Sequence, residues 1–188
     1  NDYIAIAYLR LGQFEKSREK YNENISLSPD EKGNNLLMIA ESYYNEEKFA
    51  EAKKYYKQVY DTEKNKELKK KAFYSLILVA NAMNDSNELI KLSNSFRKEY
   101  PNSDYQEEIS YMLASNYEIN GMSEKALIEY ETLYNMTTDK DTKEETVKRI
   151  MEMLYNKKDY SNALNWAKKI SEDTYKNYWI GQILYNTN

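Results

Sequence analysis

The side chains able to do chemistry in this sequence are carboxylates, lysines and tyrosines. Its 188 residues hold 31 Asp and Glu, 27 Lys and Arg and 20 Tyr, but no Cys and no His. Thiol nucleophiles, disulfides, the usual zinc sites and His-based proton transfer therefore drop out. The run Asp139-Lys140-Asp141-Thr142-Lys143-Glu144 begins like a calcium loop. Lys143 stands where the third ligand belongs, however, and Glu144 where the turn needs Gly, so no metal is expected there. The pairs Glu107-Glu108 and Glu144-Glu145 sit at expected helix starts, where the macrodipole favours negative charge, and capping explains them without acid-base work. No Gly-rich phosphate loop occurs. Neither catalysis nor a cofactor is expected.

Lys64, Lys66, Lys69, Lys70 and Lys71 cluster. A solvated helix start accounts for them, because basic interaction patches bring Arg and a wider positive field. Residues 1–94 carry 15 basic and 15 acidic side chains, and residues 95–188 carry 12 and 16, giving the formal charge of −4. That balance argues against binding nucleic acid by counterion release.

These residues must be positioned by helices. Four Gly and two Pro leave few turns for a β-rich fold, while 41% hydrophobic and 14% aromatic residues supply a core. The longest strongly apolar run, Leu76-Ile77-Leu78-Val79-Ala80, is far below the roughly 20 residues a membrane-spanning helix needs. The sequence opens on Asn1 with no charged-then-apolar leader, so any targeting segment is expected to lie outside it.

Self-similarity is the strongest signal. Gln13-Phe14-Glu15-Lys16-Ser17 aligns with Lys48-Phe49-Ala50-Glu51-Ala52, Asp85-Ser86-Asn87-Glu88-Leu89, Met122-Ser123-Glu124-Lys125-Ala126 and Asp159-Tyr160-Ser161-Asn162-Ala163, at spacings of 35, 37, 37 and 37. The same offsets superpose Ala5, Ala40, Ile77, Ala114 and Met151, and also Tyr8, Tyr43, Ala80, Tyr117 and Leu154. Within each unit apolar residues recur at helical intervals twice. Leu36, Ile39, Ala40 and Tyr43 mark a first helix and Phe49, Ala52, Tyr56 and Val59 a second. In the last unit the second set is Tyr160, Ala163, Ala167 and Ile170. Gly or polar breaks at Leu11-Gly12-Gln13, Asn45-Glu46-Glu47, Asn84-Asp85, Asn120-Gly121 and Lys157-Lys158-Asp159 separate the two, so each unit reads as a helical hairpin.

On these residues the sequence resembles the tetratricopeptide repeat family. The pattern of a small residue, an aromatic, a Gly turn and then aromatic, Ala and aromatic is met by Leu36, Ile39, Ala40, Tyr43, Phe49, Ala52 and Tyr56. It recurs through Leu113, Ala114, Tyr117, Gly121, Ala126 and Tyr130, and through Ala5, Tyr8, Gly12, Phe14, Tyr21 and Pro29. The third unit departs from it at Ala80, Ser86, Leu89 and Ser93, and the fifth at Met151 and Ala167. The resemblance implies an all-α fold, a right-handed α-solenoid of stacked helix-turn-helix hairpins forming a single domain over 1–188. Repeats would fall at about 1–33, 34–70, 71–107, 108–144 and 145–177, with a partial sixth or capping helix at 178–188. The units exceed the family's usual 34 residues, and the extra length is expected between hairpins, as at Phe96 to Ser103. The step Tyr100-Pro101-Asn102-Ser103 resembles bacterial outer-membrane assembly lipoproteins and cell-division coordinators, which implies a periplasmic or envelope setting, against a cytoplasmic one.

The resemblance also implies that first helices line a concave groove, and the residues one place beyond the packing face would face it. These are Leu37, Glu41, Tyr44 and Asn45; Tyr74, Leu78 and Asn81; Tyr111, Ser115 and Glu118; and Lys148, Glu152, Tyr155 and Asn156. Four Tyr, two Leu and three Glu against one Lys suit a protein or peptide segment with apolar anchors and some basic character. The Lys and Asn clamp with which some cochaperones hold an acidic tail is absent, since its positions include Asp2, Ile6, Leu37, Glu41, Tyr74 and Leu78. Function is thus expected to be non-catalytic protein binding. The alternatives are a solenoid arm of a larger cell-wall enzyme, or self-assembly through repeat ends such as Trp179, Ile180, Ile183 and Leu184.

Overall fold

The structure, a computed structural model, describes residues 2–187, with Asp2 described through its backbone only. The assigned ends Asn1 and Asn188, and the side chain of Asp2, lie outside the described residues. Among them the fold is all-α, with eleven α-helices and no strand. The chain divides into two compact units, Asn1–Asn102 and Ser103–Asn188.

The first unit holds three hairpins. Helices α1 (Asp2–Arg10) and α2 (Phe14–Leu27) form the first, and a 3₁₀ turn at Pro29–Glu31 leads to α3 (Lys32–Asn45) and α4 (Phe49–Thr62). The third is α5 (Lys66–Ala82) with α6 (Ser86–Glu99). Each helix packs on the next in chain order, and α3 also touches α5, so neighbouring hairpins stack. In the second unit α7 (Gln106–Ile119) pairs with α8 (Ser123–Met136) and α9 (Lys140–Asn156) with α10 (Tyr160–Ala167). Helix α11 (Asp173–Thr187) then packs on α10, in the place of the first helix of a sixth hairpin.

Every hairpin turns the same way. Gly12, Glu47, Asn84, Gly121 and Lys158 all have positive φ, between 54° and 70°. At each, this residue's N–H donates to the carbonyl three back at 2.9–3.1 Å, and the next N–H donates to the carbonyl five back at 2.8–3.0 Å. This Schellman arrangement satisfies carbonyls that the helix end leaves open. Gly adopts the left-handed conformation freely, whereas Glu47 and Lys158 hold it against a steric cost.

The core lies along two columns facing each other across each hairpin. Ala5, Ala40, Ile77, Ala114 and Met151 are fully buried opposite Ser17, Ala52, Leu89, Ala126 and Ala163, which are fully buried too. Small residues let the backbones approach. Ser17 keeps its hydroxyl satisfied there by donating to the Ala5 carbonyl at 2.9 Å.

The helix bounds differ from the sequence expectation at two kinds of place. First helices start earlier than the expected repeat boundaries, at Lys66, Lys140 and Asp173. The cause for α5 and α9 is capping: Asn65 accepts the N–H groups of Glu67 and Leu68, and Asp139 accepts that of Thr142. Both helices run 17 residues, so part of the extra repeat length is a further helical turn rather than linker. The second helix of the fifth hairpin stops at Ala167, short of Ile170. Lys169 and Ile170 bond the carbonyls three residues back, a tighter turn that still buries Ile170.

Candidate protein-binding site

The residues expected along the first helices separate once they are placed on the fold. In the first unit two of them are core. Leu37 is 3% exposed and Tyr74 7%, and Tyr74 lies tilted against Phe96 with ring centroids 6.4 Å apart. This corrects their assignment to an open groove. Helix α3 is contacted by α2, α4 and α5, and α5 by α3, α4 and α6, so the apolar face of each is wider than one stripe. Tyr44 is half-buried and meets Phe49 edge-on at 5.4 Å. Glu41 and Leu78 are half-buried, and Asn45 and Asn81 are exposed near the hairpin turns. Burial chiefly, and then the charge of Glu41, hold the Tyr56 hydroxyl proton more tightly than usual.

In the second unit the strip on α9 is already engaged by the chain itself. Lys148 pairs with Glu172 at 3.3 Å and lies 4.6 Å from the Tyr175 ring centre. Glu152 accepts a hydrogen bond from the Tyr175 hydroxyl. Tyr155 packs edge-on against Trp179 at 5.1 Å, and its hydroxyl accepts from Asn186 at 2.9 Å. Asn156 is exposed at the helix end. The α9 strip is therefore covered by the segment from Glu172 to Asn186, as one repeat covers the next.

The α7 strip is different. Glu118 is used internally, accepting from the Tyr130 hydroxyl at 2.8 Å and pairing with Arg149 at 3.8 Å. Burial first, and then that carboxylate, raise the Tyr130 pKa above the ordinary phenol value. Ser115 is half-buried, but Tyr111 stands 43% exposed. It lines a cleft of about 360 Å³ with Glu107, Glu108, Leu133, Thr142 and Glu145. Among the described residues none of these three carboxylates has a cationic partner within 4 Å. The tyrosine ring provides apolar surface over the buried Leu133, and three acids without an ion pair within 4 Å provide a negative field.

Sequence reasoning named Tyr111 and missed the rest of the cleft. The signal was present in the repeat spacing, because Glu108 and Glu145 stand 37 residues apart at one register on neighbouring first helices. Reading the acidic pairs only as helix starts hid that alignment. No group of acids in the described residues is arranged to hold a metal ion, and no helix is long and apolar enough to cross a membrane.

Comparisons with known proteins agree with this geometry at the level of the fold. Residues 35–65 match the model of the tetratricopeptide repeat. The chain is similar to the C-terminal part of a TPR repeat-containing protein from Cytophaga hutchinsonii, with 13% identity, 100% of this chain and 71% of that one covered and a TM-score of 0.73. It is also similar to a putative kinesin light chain with TPR-like repeats from Podosopora anserina, at 12% identity, 100% and 94% coverage and a TM-score of 0.65. A tetratricopeptide repeat protein from Parabacteroides merdae gives 14% identity, 97% and 69% coverage and a TM-score of 0.57. No curated protein matches the chain in sequence. The family match lies over residues 35–65, and these likenesses show the fold, an array of helical hairpins of the tetratricopeptide kind. Such repeats in general mediate binding between proteins.

Proposed function

We propose that this chain is a non-catalytic interaction scaffold that captures a segment of a partner protein at the α7–α9 cleft around Tyr111. One observation carries the reading. At the register where Leu37 and Tyr74 are core and Lys148 is engaged by Glu172, Tyr111 alone presents a large apolar ring to solvent, in a cleft with three unpaired carboxylates. A rigid aromatic with a hydroxyl makes a strong anchor, and the surrounding charge favours a segment carrying Lys or Arg beside an apolar side chain.

Tyr100-Pro101-Asn102-Ser103 has a sufficient local cause. Tyr100 ends α6 and Pro101 cannot continue a helix, so the proposal does not depend on an envelope location. Site-specific photocrosslinking tests the proposal. A benzophenone side chain at position 111 should join the chain to a discrete partner in its source cells, while the same group at the exposed Ile128 on α8 should not. Equal products from both positions, or none from position 111, would contradict it.

A further inference from the structure

The second unit has another cleft, of about 200 Å³, where the end of α8, the start of α9 and the loop after α10 meet. It is lined by Tyr134, Lys140, Lys143, Glu144, Val147, Lys169 and Ser171. Lys143 lies 4.8 Å and Lys169 4.6 Å from the centre of the Tyr134 ring, and Lys169 is also 3.6 Å from that of Trp166. Tyr134 and Trp166 meet edge-on at 4.9 Å, which fixes this aromatic floor.

The charges around the floor are unbalanced. Residues 103–188 carry ten Lys and Arg against fifteen Asp and Glu, so acids are abundant nearby. Lys148, Lys157, Lys176 and Arg149 each find one. Among the described residues Lys140, Lys143 and Lys169 find none within 4 Å. The one acid in the cleft, Glu144, accepts from the Ser171 N–H at 3.0 Å and its hydroxyl at 2.9 Å and lies 3.9 Å from the Lys148 ammonium. The start of α9 contributes little, because Asp139 already caps it through Thr142 N–H at 2.8 Å. Contact with aromatic rings holds an ammonium group in place without cancelling its charge. Three cations are thus gathered around one cavity that holds a single carboxylate, which pairs with none of them.

We propose that this lysine-lined cleft docks an acidic segment of a partner protein, whose Glu or Asp carboxylates sit among Lys140, Lys143 and Lys169. The methylene stems of that segment would lie on the half-buried Tyr134 ring. Lysines act as separate point charges and no Arg fork is present, which suits several carboxylates along a flexible segment better than one planar anion. This surface is separate from the Tyr111 cleft and does not rest on that reading.

Trp166 is the reporter, since the chain has two Trp and a Trp179→Phe background leaves it alone. In the full chain, hexaglutamate should give a saturable change in Trp166 emission that weakens as salt is added. Hexalysine should give none. Lys143→Gln with Lys169→Gln should weaken hexaglutamate about tenfold, and the single change Lys140→Gln, which leaves the ring contacts alone, about threefold. Tyr111→Ala should leave the titration unchanged, which separates this site from the first. Absence of a saturable change, full affinity in the folded Lys140→Gln and double variants, or inorganic phosphate saturating as tightly as hexaglutamate would overturn the proposal.

Discussion

The third and fourth hairpins solve the same packing problem in opposite ways. In the fourth, Ala114 faces Ala126, the backbones come close, and Tyr130 fills the space one turn further along while bonding Glu118. Tyr111 is then left outside. In the third, Ile77 faces Leu89 and the two helices share less backbone contact. Ser93 replaces the tyrosine, and Tyr74 turns inward against Phe96, which itself packs on Phe73 and Tyr100. A repeat position is therefore not a binding position in itself. Whether the first-helix tyrosine is core or anchor follows from the volume that its hairpin leaves beside it.

Changes that exchange one solution for the other should cost the most. Leu89→Ala empties a fully buried site and should lose about 3 kcal/mol in thermal or urea unfolding. The reverse change, Ala126→Leu, overpacks the close pair and should lose about 2 kcal/mol. If Leu89→Ala were neutral, the third hairpin would not be packed on that column. The turns give a smaller contrast. Gly121→Ala meets no neighbouring atom, so the strain of positive φ alone should cost about 1 kcal/mol, and Lys158→Gly should gain a similar amount. Ser93 is fully buried with its hydroxyl unpartnered among the described residues, so Ser93→Ala should stabilise by about 1 kcal/mol.

Capping should give the smallest effects. Helix α8 has Met122 at its N-cap and no side-chain cap, where α6 and α10 have Asp85 and Asp159. Met122→Asp should stabilise the fold by on the order of 0.5–1 kcal/mol, read as a higher melting temperature. Asp159 is held below the ordinary carboxylate range by the Asn162 side chain and N–H, and Asp139 by Thr142. A depressed folded pKa contributes stability above the unfolded value near 4, and that contribution is lost as pH falls through the folded value. The melting temperature should therefore decline on acidification from pH 5, and less steeply in Asp159→Asn.

Hairpin number, turn positions and both core columns were legible in the sequence, because a fixed period makes each unit a control for the others. Gly12 and Gly121 marked the turns directly, and their register located Glu47 and Lys158, whose residue types give no sign of positive φ. The site was less legible. Leu37 and Tyr74 were placed by periodicity alone, which gives a direction around the helix but not how far the neighbouring helices wrap it. Coverage of Lys148, Glu152 and Tyr155 depended on α11, whose apolar residues lie all round it and point to no single face. Lys169 joined Lys140 and Lys143 only through the early stop of α10 at Ala167, a tertiary outcome that the periodicity ran past.

The distinction between the two tyrosines also fixes the choice of variant. Tyr74→Ala would damage the core, so a loss of binding there could not be assigned to the surface. The decisive measurement is partner capture by Tyr111→Ala beside the unaltered chain, with helicity and melting temperature recorded for both. Unchanged folding with loss of the captured partner is the expected result. Undiminished capture by a fully folded Tyr111→Ala chain would contradict the assignment of the α7–α9 cleft as the recognition surface.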